Sequence, residues 1–450
     1  MEQLLYNAQV VTPERVFTGG VTIEATGKIG RVFEGLPQGE LREGLDAREM
    51  HDLQGHYLLP GMVDTHVHFR EPGLTSKADM ASESRAAVAG GVTSFVDMPN
   101  TLPPTLTMEA LEEKLALARG RSYANYGFYL GASEENLDLL PKANPQKVAG
   151  VKLFMGTSTG RLAVSDARSL HRIFSSVELP LLVHCEDDAI IQANLATARA
   201  QWGESIPFEA HATIRSAQAC LSSTKKALEL AMSYRTRLHV LHLSTAEEAL
   251  LFTRMAAAGQ NNISGELCPH YLWYSAQDYA RLGGGIKCNP AIKDSRHREA
   301  LRQAARGKAF FTVGTDHAPH QWCEKQQDYL HCPSGIPTIR YGLLVLLELC
   351  YQGLLTLPRV AALYASNPAK LLSVANRGSI APGYWADLVI VSRHDEALPA
   401  QPVLSKCGWS PLASEHYHHT IEATLVNGQL AYCANQVVGQ PQGQPLSYAR

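Results

Sequence analysis

The sequence predicts an α/β protein, a (β/α)8 (TIM) barrel with a small β-sandwich domain formed from both chain ends. Two observations predict this architecture. Short apolar runs recur through the middle of the 450-residue chain, and segments with helical apolar spacing separate most of them. Both flanks instead carry short alternating runs interrupted by glycine and proline. Eight strand–helix units over about 315 residues fit a closed barrel better than an open sheet.

The barrel strands are predicted from near-continuous apolar runs, which are typical of parallel strands covered on both faces. In chain order the eight runs are residues 56–68, 93–100, 125–133, 148–156, 179–187, 237–245, 262–272 and 310–320. The segments with helical spacing include residues 108–120, 217–234, 246–259 and 296–307. We therefore expect the helices to surround the strands.

The flanks predict the second domain. Asn427-Gly428 lies between two alternating runs and is a strong hairpin signal. The predicted domains are the β-sandwich, residues 1–55 plus 375–450, and the barrel, residues 56–374. The last dozen residues contain few apolar side chains to bury, so we expect them to be loosely held.

Composition excludes several function classes. The chain carries 40 Lys and Arg against 43 Asp and Glu, without the basic stripe that binds nucleic acid. No stretch approaches the ~18 apolar residues of a membrane helix, and the N-terminus does not resemble a signal peptide. Nine scattered cysteines without CxxC pairs indicate reduced thiols. We expect a cytoplasmic protein with a small-molecule substrate and no membrane or nucleic-acid partner.

Metal-ligating residue types stand at the ends of the predicted strands, where barrel enzymes place their sites. His66 and His68 alternate on the first strand, so both imidazoles can point to the same side. His184, His242 and Asp316 end the fifth, sixth and eighth strands. A single histidine is more often structural, but this set at one barrel mouth predicts a metal site.

Lys152 lies in the otherwise apolar fourth strand. A buried ammonium is costly, so the pKa of such a lysine falls and a nucleophilic neutral amine results. That amine can add carbon dioxide and become an N-carboxylate with two oxygens for metal ions. A lysine paired with Asp or Glu is the alternative.

The motifs PGMVDTHVHFREPG, MPNTLP, VKLFMG, VHCED, HLST, CPHYL and GTDHAPH together carry a resemblance that covers about the whole chain. The sequence resembles the amidohydrolase superfamily and, within it, the cyclic amidohydrolases. The REP after HVHF and the MPNT segment favour the dihydroorotases of the longer, sandwich-bearing type.

The resemblance implies a site with two divalent metal ions, most commonly zinc. One ion would be held by His66, His68 and Asp316, and the other by His184 and His242. N6-carboxylysine at Lys152 and a hydroxide would bridge them, and Asp316 would be the catalytic proton acceptor and donor. Many longer dihydroorotases have a bridging aspartate instead, and VKLFMG matches the lysine-bearing relatives.

The resemblance also implies the reversible interconversion of dihydroorotate and N-carbamoyl-aspartate in de novo pyrimidine (UMP) biosynthesis, by a possible homodimer or homotetramer. The implied substrate-binding residues are Arg70, Asn100, Asn289 and His320. Arg70 suits a carboxylate because a guanidinium binds it through two hydrogen bonds. Around Asn289 this chain departs from the family, with Ala291 and Lys293 in place of proline and arginine.

Alternative functions and structural roles stay open at the level of sequence. Allantoinase and hydantoinase-like (dihydropyrimidinase-like) hydrolases share the metal set, and non-catalytic scaffolds occur in the superfamily. The intact ligand set argues against a scaffold. Arg70 could instead pair with Glu71 or Asp79, and Asn100 could cap a turn. The polar segment 321–338 could close over substrate or be an ordinary surface loop.

Overall fold

Eight parallel strands form the barrel that the sequence predicts. The computed structural model describes residues 3–38, 49–156, 162–309 and 311–450. The barrel strands are β6 (Met62–Val67), β7 (Val92–Asp97), β8 (Asn125–Phe128), β10 (Val151–Gly156), β12 (Leu181–Glu186), β13 (Leu238–Val240), β14 (Ile263–Leu267) and β15 (Phe311–Val313). Short strands β9 (Leu130–Gly131) and β11 (Ala163–Val164) pair with β10.

Backbone hydrogen bonds close the barrel at the two places where its main strands do not pair directly. Between β8 and β10, β9 pairs with β10, and the amide of Ala149 donates to Phe128 O. Between β15 and β6, Val67 forms a parallel bridge with His317, and the amide of His68 donates to His317 O. The second closure joins the segments that carry the predicted ligands His68 and Asp316.

Helices cover the outside of the barrel and the loops at its ends. They are α1 (Met80–Ala89), α2 (Met108–Ala118), α3 (Ala167–Ser176), α4 (Asp188–Trp202), α5 (His211–Ile214), α6 (Ala217–Tyr234), α7 (Ala246–Ala257), α8 (Pro269–Trp273), α9 (Tyr279–Leu282), α10 (Ser295–Arg306), α11 (Trp322–Lys325), α12 (Gly342–Tyr351), α13 (Leu357–Ala361) and α14 (Asn367–Leu372). Side-chain caps fix several starts, for example Asp79 before α1 and Asp187 before α4. The four helical segments predicted from apolar spacing are α2, α6, α7 and α10. Among the described residues, no helix is long and apolar enough to cross a membrane.

Strands from both chain ends form the predicted sandwich domain and join in one nine-stranded sheet. They are β1 (Gln3–Val11), β2 (Val16–Ile23), β3 (Ile29–Glu34), β4 (Met50–Asp52), β5 (Tyr57–Pro60), β16 (Leu388–Pro399), β17 (His416–Val426), β18 (Gln429–Cys433) and β19 (Gln436–Val437). β5 joins the two ends, because it pairs with β1 on one side and β16 on the other. These strands enclose a hydrophobic core of their own, which includes Val10, Leu58 and Leu388.

The predicted run 56–68 divides between the two sheets. Tyr57–Pro60 belongs to the chain-end sheet, and Met62–Val67 is the first barrel strand. Gly61 lies at the change, where a Cβ would stand 2.1 Å from Thr93 Oγ1, so the close approach requires glycine. The domain boundaries given above stay a prediction.

The expectation of a loose C-terminus is wrong. Leu446 and Tyr448 are both 5% exposed, and they pack with barrel residues such as Tyr129 and Leu182. The Arg450 guanidinium donates to Val148 O and Leu372 O. The tail therefore covers the end of the barrel where the strands begin.

Candidate active site

Two histidines and one aspartate converge at the end of the barrel where the strands finish. His66 lies near the end of β6, His68 follows it, and Asp316 comes just after β15. Asp316 Oδ1 is 3.1 Å from both His66 Nε2 and His68 Nε2. Burial opposes ionisation of Asp316, but His66 and His68 outweigh it and hold its pKa far below the usual range. The carboxylate is therefore ionised and, with the two nitrogens, offers three ligand atoms to one cation.

The second nitrogen of each of these histidines has a partner that orients the ring. His66 Nδ1 is 2.6 Å from Glu266 Oε1 on β14, and His68 Nδ1 is 2.8 Å from Asn100 Oδ1. Oxygen accepts in both bonds, so Nδ1 carries a proton in each ring, and Nε2 points to the site, where it would offer its lone pair to a bound cation. Sequence reasoning missed Glu266, although an acidic residue within the apolar run 262–272 was a usable signal. Asn100 lies at the site, where its Oδ1 contacts His68 Nδ1 and its Nδ2 remains a donor.

His184 and His242 face each other next to this group. His184 Nδ1 is 2.9 Å from His242 Nε2, and the His242 ring centroid is 5.3 Å from that of His66. Burial lowers the pKa of both imidazoles, so both are neutral. Glu186 Oε2 lies 3.0 Å from His184 Nε2, so its charge favours a proton on Nε2 and a lone pair on Nδ1, on the side of His242. These two nitrogens could add two ligands to the first three once a cation displaces the proton between them.

Lys152 projects from β10 into the same interior. It is 1% exposed, and its Nζ lies 4.3 Å from the centroid of the Phe154 ring. Burial lowers its pKa to about 7, although Asp316 and Glu266 act in the opposite direction. Throughout the part of the chain that the structure describes, Lys152 Nζ makes no hydrogen bond or ion pair, so the alternative of a lysine paired with Asp or Glu finds no support there. The donor types and the neutral amine fit a group of divalent cations.

Three residues at this site have strained backbone conformations. The φ angles of Arg70, His242 and Asp316 are 66°, 39° and 48°, in the left-handed region that side chains other than glycine rarely adopt. Such strain persists only where the surrounding structure imposes it, and it is concentrated at functional sites. It therefore supports a functional role for these positions.

Arg70 lies beside His68 at the mouth of the barrel, and its predicted alternative partners are engaged elsewhere. Glu71 pairs with Arg121, and Asp79 pairs with Lys406. In the described ranges the polar contacts of the Arg70 side chain are with Pro319 O and His320 Nε2, both at 3.1 Å, and none is with a carboxylate. Burial lowers its pKa to about 10, which still leaves it charged. An unpaired, buried guanidinium is suited to an anionic ligand.

Asn289 and Lys293 belong to the loop that was predicted to contact the substrate ring. Asn289 Oδ1 is buried and has no hydrogen-bond partner among the residues with a described position, so it is available to a ligand. Lys293 is directed elsewhere, since its Nζ donates to Ala291 O and Ser244 Oγ at 2.9 and 3.1 Å.

Two buried lysines, Lys287 and Lys325, hold the segment 321–338 in place. Lys325 Nζ donates to Lys287 O, Pro333 O and Gly335 O, and Lys287 Nζ donates to two carbonyls of the same segment. These bonds favour a fixed surface loop over a segment that closes over substrate.

Comparison with known proteins identifies the family of this chain. The family model described as "Amidohydrolase family" matches residues 57–430. A dihydroorotase of Halobacterium salinarum is 33% identical over 87% of this chain and 90% of its own length, and one of Methanosphaera stadtmanae is 31% identical over 86% and 88%. An allantoinase of Deinococcus radiodurans is 30% identical over 99% and 98%.

Solved structures show the same fold. The L-hydantoinase (dihydropyrimidinase) of Arthrobacter aurescens superposes with a TM-score of 0.92, at 25% identity, over 99% of this chain and 100% of that one. The chain therefore belongs to the amidohydrolase family, with the cyclic amidohydrolases among its relatives.

Proposed function

We propose that this protein is a dihydroorotase, which interconverts (S)-dihydroorotate and N-carbamoyl-L-aspartate. The observation that carries the proposal is the Arg70 guanidinium, which is buried beside His68 without a carboxylate partner in the described residues. Dihydroorotate brings a carboxylate to that position, whereas hydantoin and dihydrouracil lack one. The relatives named dihydroorotase, at 31% and 33% identity, support the same activity.

The proposed cofactors are two divalent cations, most commonly zinc. His66, His68 and Asp316 would hold one, His184 and His242 the other, and N-carboxylated Lys152 would bridge them. When bound, such cations supply an acidified water, whose pKa falls from ~15.7 to ~7 with one zinc, and a polarised carbonyl. Lys152 suits this role because its pKa of about 7 leaves a fraction of the amine neutral and reactive.

The residues of the chain would divide the chemistry between them. Water adds to the ring amide carbonyl, the ring C–N bond breaks, and the nitrogen leaves with a proton. Asp316 is ionised, so it would accept the proton of the attacking water and return it to the leaving nitrogen. Arg70 and His320 would hold the substrate carboxylate, with Asn100 Nδ2 as a further donor. Asn289 Oδ1 would accept from a ring N–H.

Allantoinase is the second candidate. In its favour, the Deinococcus radiodurans allantoinase matches 99% of this chain, more than the 87% and 86% that the two dihydroorotases match. Allantoin carries no carboxylate, however, and would leave Arg70 buried without an anionic partner, which is costly. This argument favours dihydroorotate.

One experiment separates the candidates. Purified, metal-loaded protein is mixed separately with dihydroorotate, allantoin and hydantoin, and ring opening is followed. Dihydroorotase activity predicts opening of dihydroorotate and, in reverse, cyclisation of N-carbamoyl-aspartate. Opening of allantoin with no action on dihydroorotate contradicts the proposal. Metal analysis of the same preparation tests the two-metal assignment, while the pathway, the cytoplasmic location and the oligomeric state stay predictions.

A further inference from the structure

Lys77 contacts the proposed carboxylate pocket from the loop between Arg70 and α1. Its Nζ lies 2.9 Å from His320 Nδ1 and 2.7 Å from Glu324 Oε1. The Lys77 side chain is 19% exposed, so this ammonium is largely shielded from water. Neither the metal ligands nor the proton transfer assigned above uses this lysine.

The contacts of His320 determine which of its ring nitrogens carries the proton. An ammonium has three N–H donors and no lone pair, so His320 Nδ1 must accept from Lys77. On the other side, Nε2 lies 3.1 Å from Ser334 O, a carbonyl that can only accept. Both contacts favour the tautomer with hydrogen on Nε2. The Arg70 Nη2 donor, 3.1 Å from the same Nε2, is the one contact that favours the other tautomer.

The opposite tautomer would have no acceptor for its proton in the described structure. The candidate is Glu324 Oε2, which lies 3.8 Å from His320 Nδ1, beyond hydrogen-bond range. That oxygen accepts instead from the amide of Gln321 at 2.9 Å. Glu324 therefore fixes the position of Lys77 rather than that of the imidazole proton.

With hydrogen on Nε2, two donors stand side by side at the pocket. Arg70 Nη2 lies 3.1 Å from His320 Nε2, and two N–H groups cannot bond to one another. Arg70 Nε is already used by Pro319 O. A carboxylate can accept from both donors through its two oxygens, and this would satisfy the guanidinium and the imidazole together.

The His320 ring is also held in place by packing. Gly335 has φ 137°, and a Cβ there would stand 3.0 Å from His320 Cδ2. Trp409 Nε1 donates to His320 O at 2.8 Å, which fixes the backbone. Burial, together with the charges of Arg70, Lys77 and Lys325, keeps the pKa of His320 far below its usual value, so the ring is neutral. For a neutral ring, the tautomer decides whether Nε2 donates or accepts.

We propose that Lys77 is a positioning residue for substrate specificity: by donating to His320 Nδ1, it makes Nε2 a hydrogen-bond donor that, with Arg70, selects a ligand bearing a carboxylate. The identity of that ligand as dihydroorotate rests on the proposed function. The tautomer itself does not, because it follows from the contacts of the free protein.

The first test measures binding of orotate and uracil, which differ by one carboxylate, to the metal-loaded enzyme by calorimetry. Lys77→Met should weaken orotate binding roughly 10- to 100-fold, the size expected for a hydrogen bond to a charged group, and leave uracil binding unchanged. Lys147→Met is the control, because Lys147 forms an exposed ion pair with Glu112 away from the pocket. Equal effects on orotate and uracil, or none on orotate, overturn the proposal.

A double-mutant cycle separates action through His320 from a direct charge effect. If Lys77 acts through the imidazole, Lys77→Met should have little further effect on orotate binding in a His320→Gln background. A lysine that attracts the ligand carboxylate directly gives the same fold-loss in both backgrounds, and that additive result contradicts the proposal. In turnover, the effect should appear in KM for dihydroorotate more than in kcat.

Nitrogen NMR of histidine-labelled protein gives a readout that requires no substrate. The His320 signals, assigned by their loss in His320→Gln, should show hydrogen on Nε2 in the wild type and a mixture of tautomers in Lys77→Met. Unchanged signals in Lys77→Met refute the tautomer mechanism. A wild-type enzyme that neither opens dihydroorotate nor binds orotate overturns the proposed function, and the NMR result still decides what Lys77 does to the ring.

Discussion

Imidazole orientation at this site depends on one hydrogen bond per ring. Glu266 accepts from His66 Nδ1, and Asn100 accepts from His68 Nδ1, so both Nε2 atoms face Asp316 and would offer lone pairs to a bound cation. Glu266 Oε1 also accepts from the amide of His242, at 3.1 Å. One buried carboxylate thus ties together segments that carry ligands from both groups of the proposed metal centre.

Arg70 carries the choice of substrate, and Arg70→Met tests it. Methionine keeps much of the stem but removes the guanidinium, so the metal ligands should be unaffected. Loss of a charge-assisted pair costs ~2–5 kcal/mol, so turnover of dihydroorotate should fall by roughly 30-fold to several thousandfold. Turnover of dihydrouracil, where measurable, should stay nearly constant. Steady-state kinetics on both substrates, with metal content as the control, makes the comparison, and an equal loss on both means that Arg70 is structural.

Lys152 tests the proposed carboxylation. Lys152→Ala should bind less metal and lose activity, because the bridging oxygens are gone, and short carboxylic acids should restore part of both by taking the place of the carbamate. Metal content is measured with and without the acid. The wild-type lysine is expected to carry the added carbon dioxide in a density map of metal-loaded crystals. An unmodified lysine in fully loaded, active enzyme excludes the assignment.

The candidate ligands could be predicted from sequence because each stands at the end of its own strand run. Their partners could not, because such pairs depend on three-dimensional packing. Glu266 is 200 residues from His66, and Lys77 is 243 residues from His320. In the sequence, Lys77 is one of many lysines in polar loops, and only the fold brings it to an imidazole.

Among the elements, neighbouring barrel strands are joined by a buried histidine as well as by their backbones. His239 on β13 is fully buried, with Nδ1 2.8 Å from Ser264 Oγ on β14 and Nε2 3.1 Å from Thr312 Oγ1 on β15. Burial lowers its pKa to about 4, so the folded barrel holds it neutral. The run 237–245 predicted the strand, but periodicity gave no sign of this polar link across three strands.

His239 should make the folded protein less stable as the pH falls below the pKa of an unfolded histidine. Its pKa is about 4 in the folded protein against 6.5 in the unfolded chain, so between these values the unfolded chain binds the additional proton. Its contribution is complete above pH ~6.5 and is lost as the pH falls towards 4, by up to about 1.4 kcal/mol per pH unit. His239→Gln keeps hydrogen-bonding groups but cannot titrate, so urea unfolding should show a smaller loss over this range. Identical pH profiles for wild type and variant exclude the effect.

At the scale of the whole molecule, the two ends of the barrel have different tasks. The candidate site occupies the end where the strands finish, and the C-terminal tail covers the end where they begin. The amide of Tyr126 on β8 donates to Gln444 O, and Arg450 donates to carbonyls just before β10. Composition predicted a loose tail because glutamine, glycine and proline dominate it. Only two of its apolar side chains, Leu446 and Tyr448, are buried in the described structure. These two side chains stabilise the protein by packing against the end of the barrel, a surface that exists only in the folded chain.

Substitution of Tyr448 should lower the stability of the protein and leave its activity nearly unchanged. Its ring is 5% exposed within the cluster that contains Tyr129, Leu182 and Leu446, so Tyr448→Ala should lower the free energy of unfolding by roughly 3–5 kcal/mol, as for other buried aromatic rings. The active site lies at the opposite end, so kcat/KM at 25 °C, measured well below the unfolding transition, should stay within a factor of about two of wild type.

Tyr448→Phe is the matched control for that prediction. The Tyr448 hydroxyl is buried and has no hydrogen-bond partner among the described residues, so its removal should cost almost nothing or slightly stabilise the protein. Calorimetric or urea unfolding of the three proteins makes the comparison. A Tyr448→Ala protein as stable as Tyr448→Phe would show that the tail does not stabilise the barrel. Lost stability with equally lost activity in the folded variant would show that packing at this end of the barrel also positions the ligands at the other.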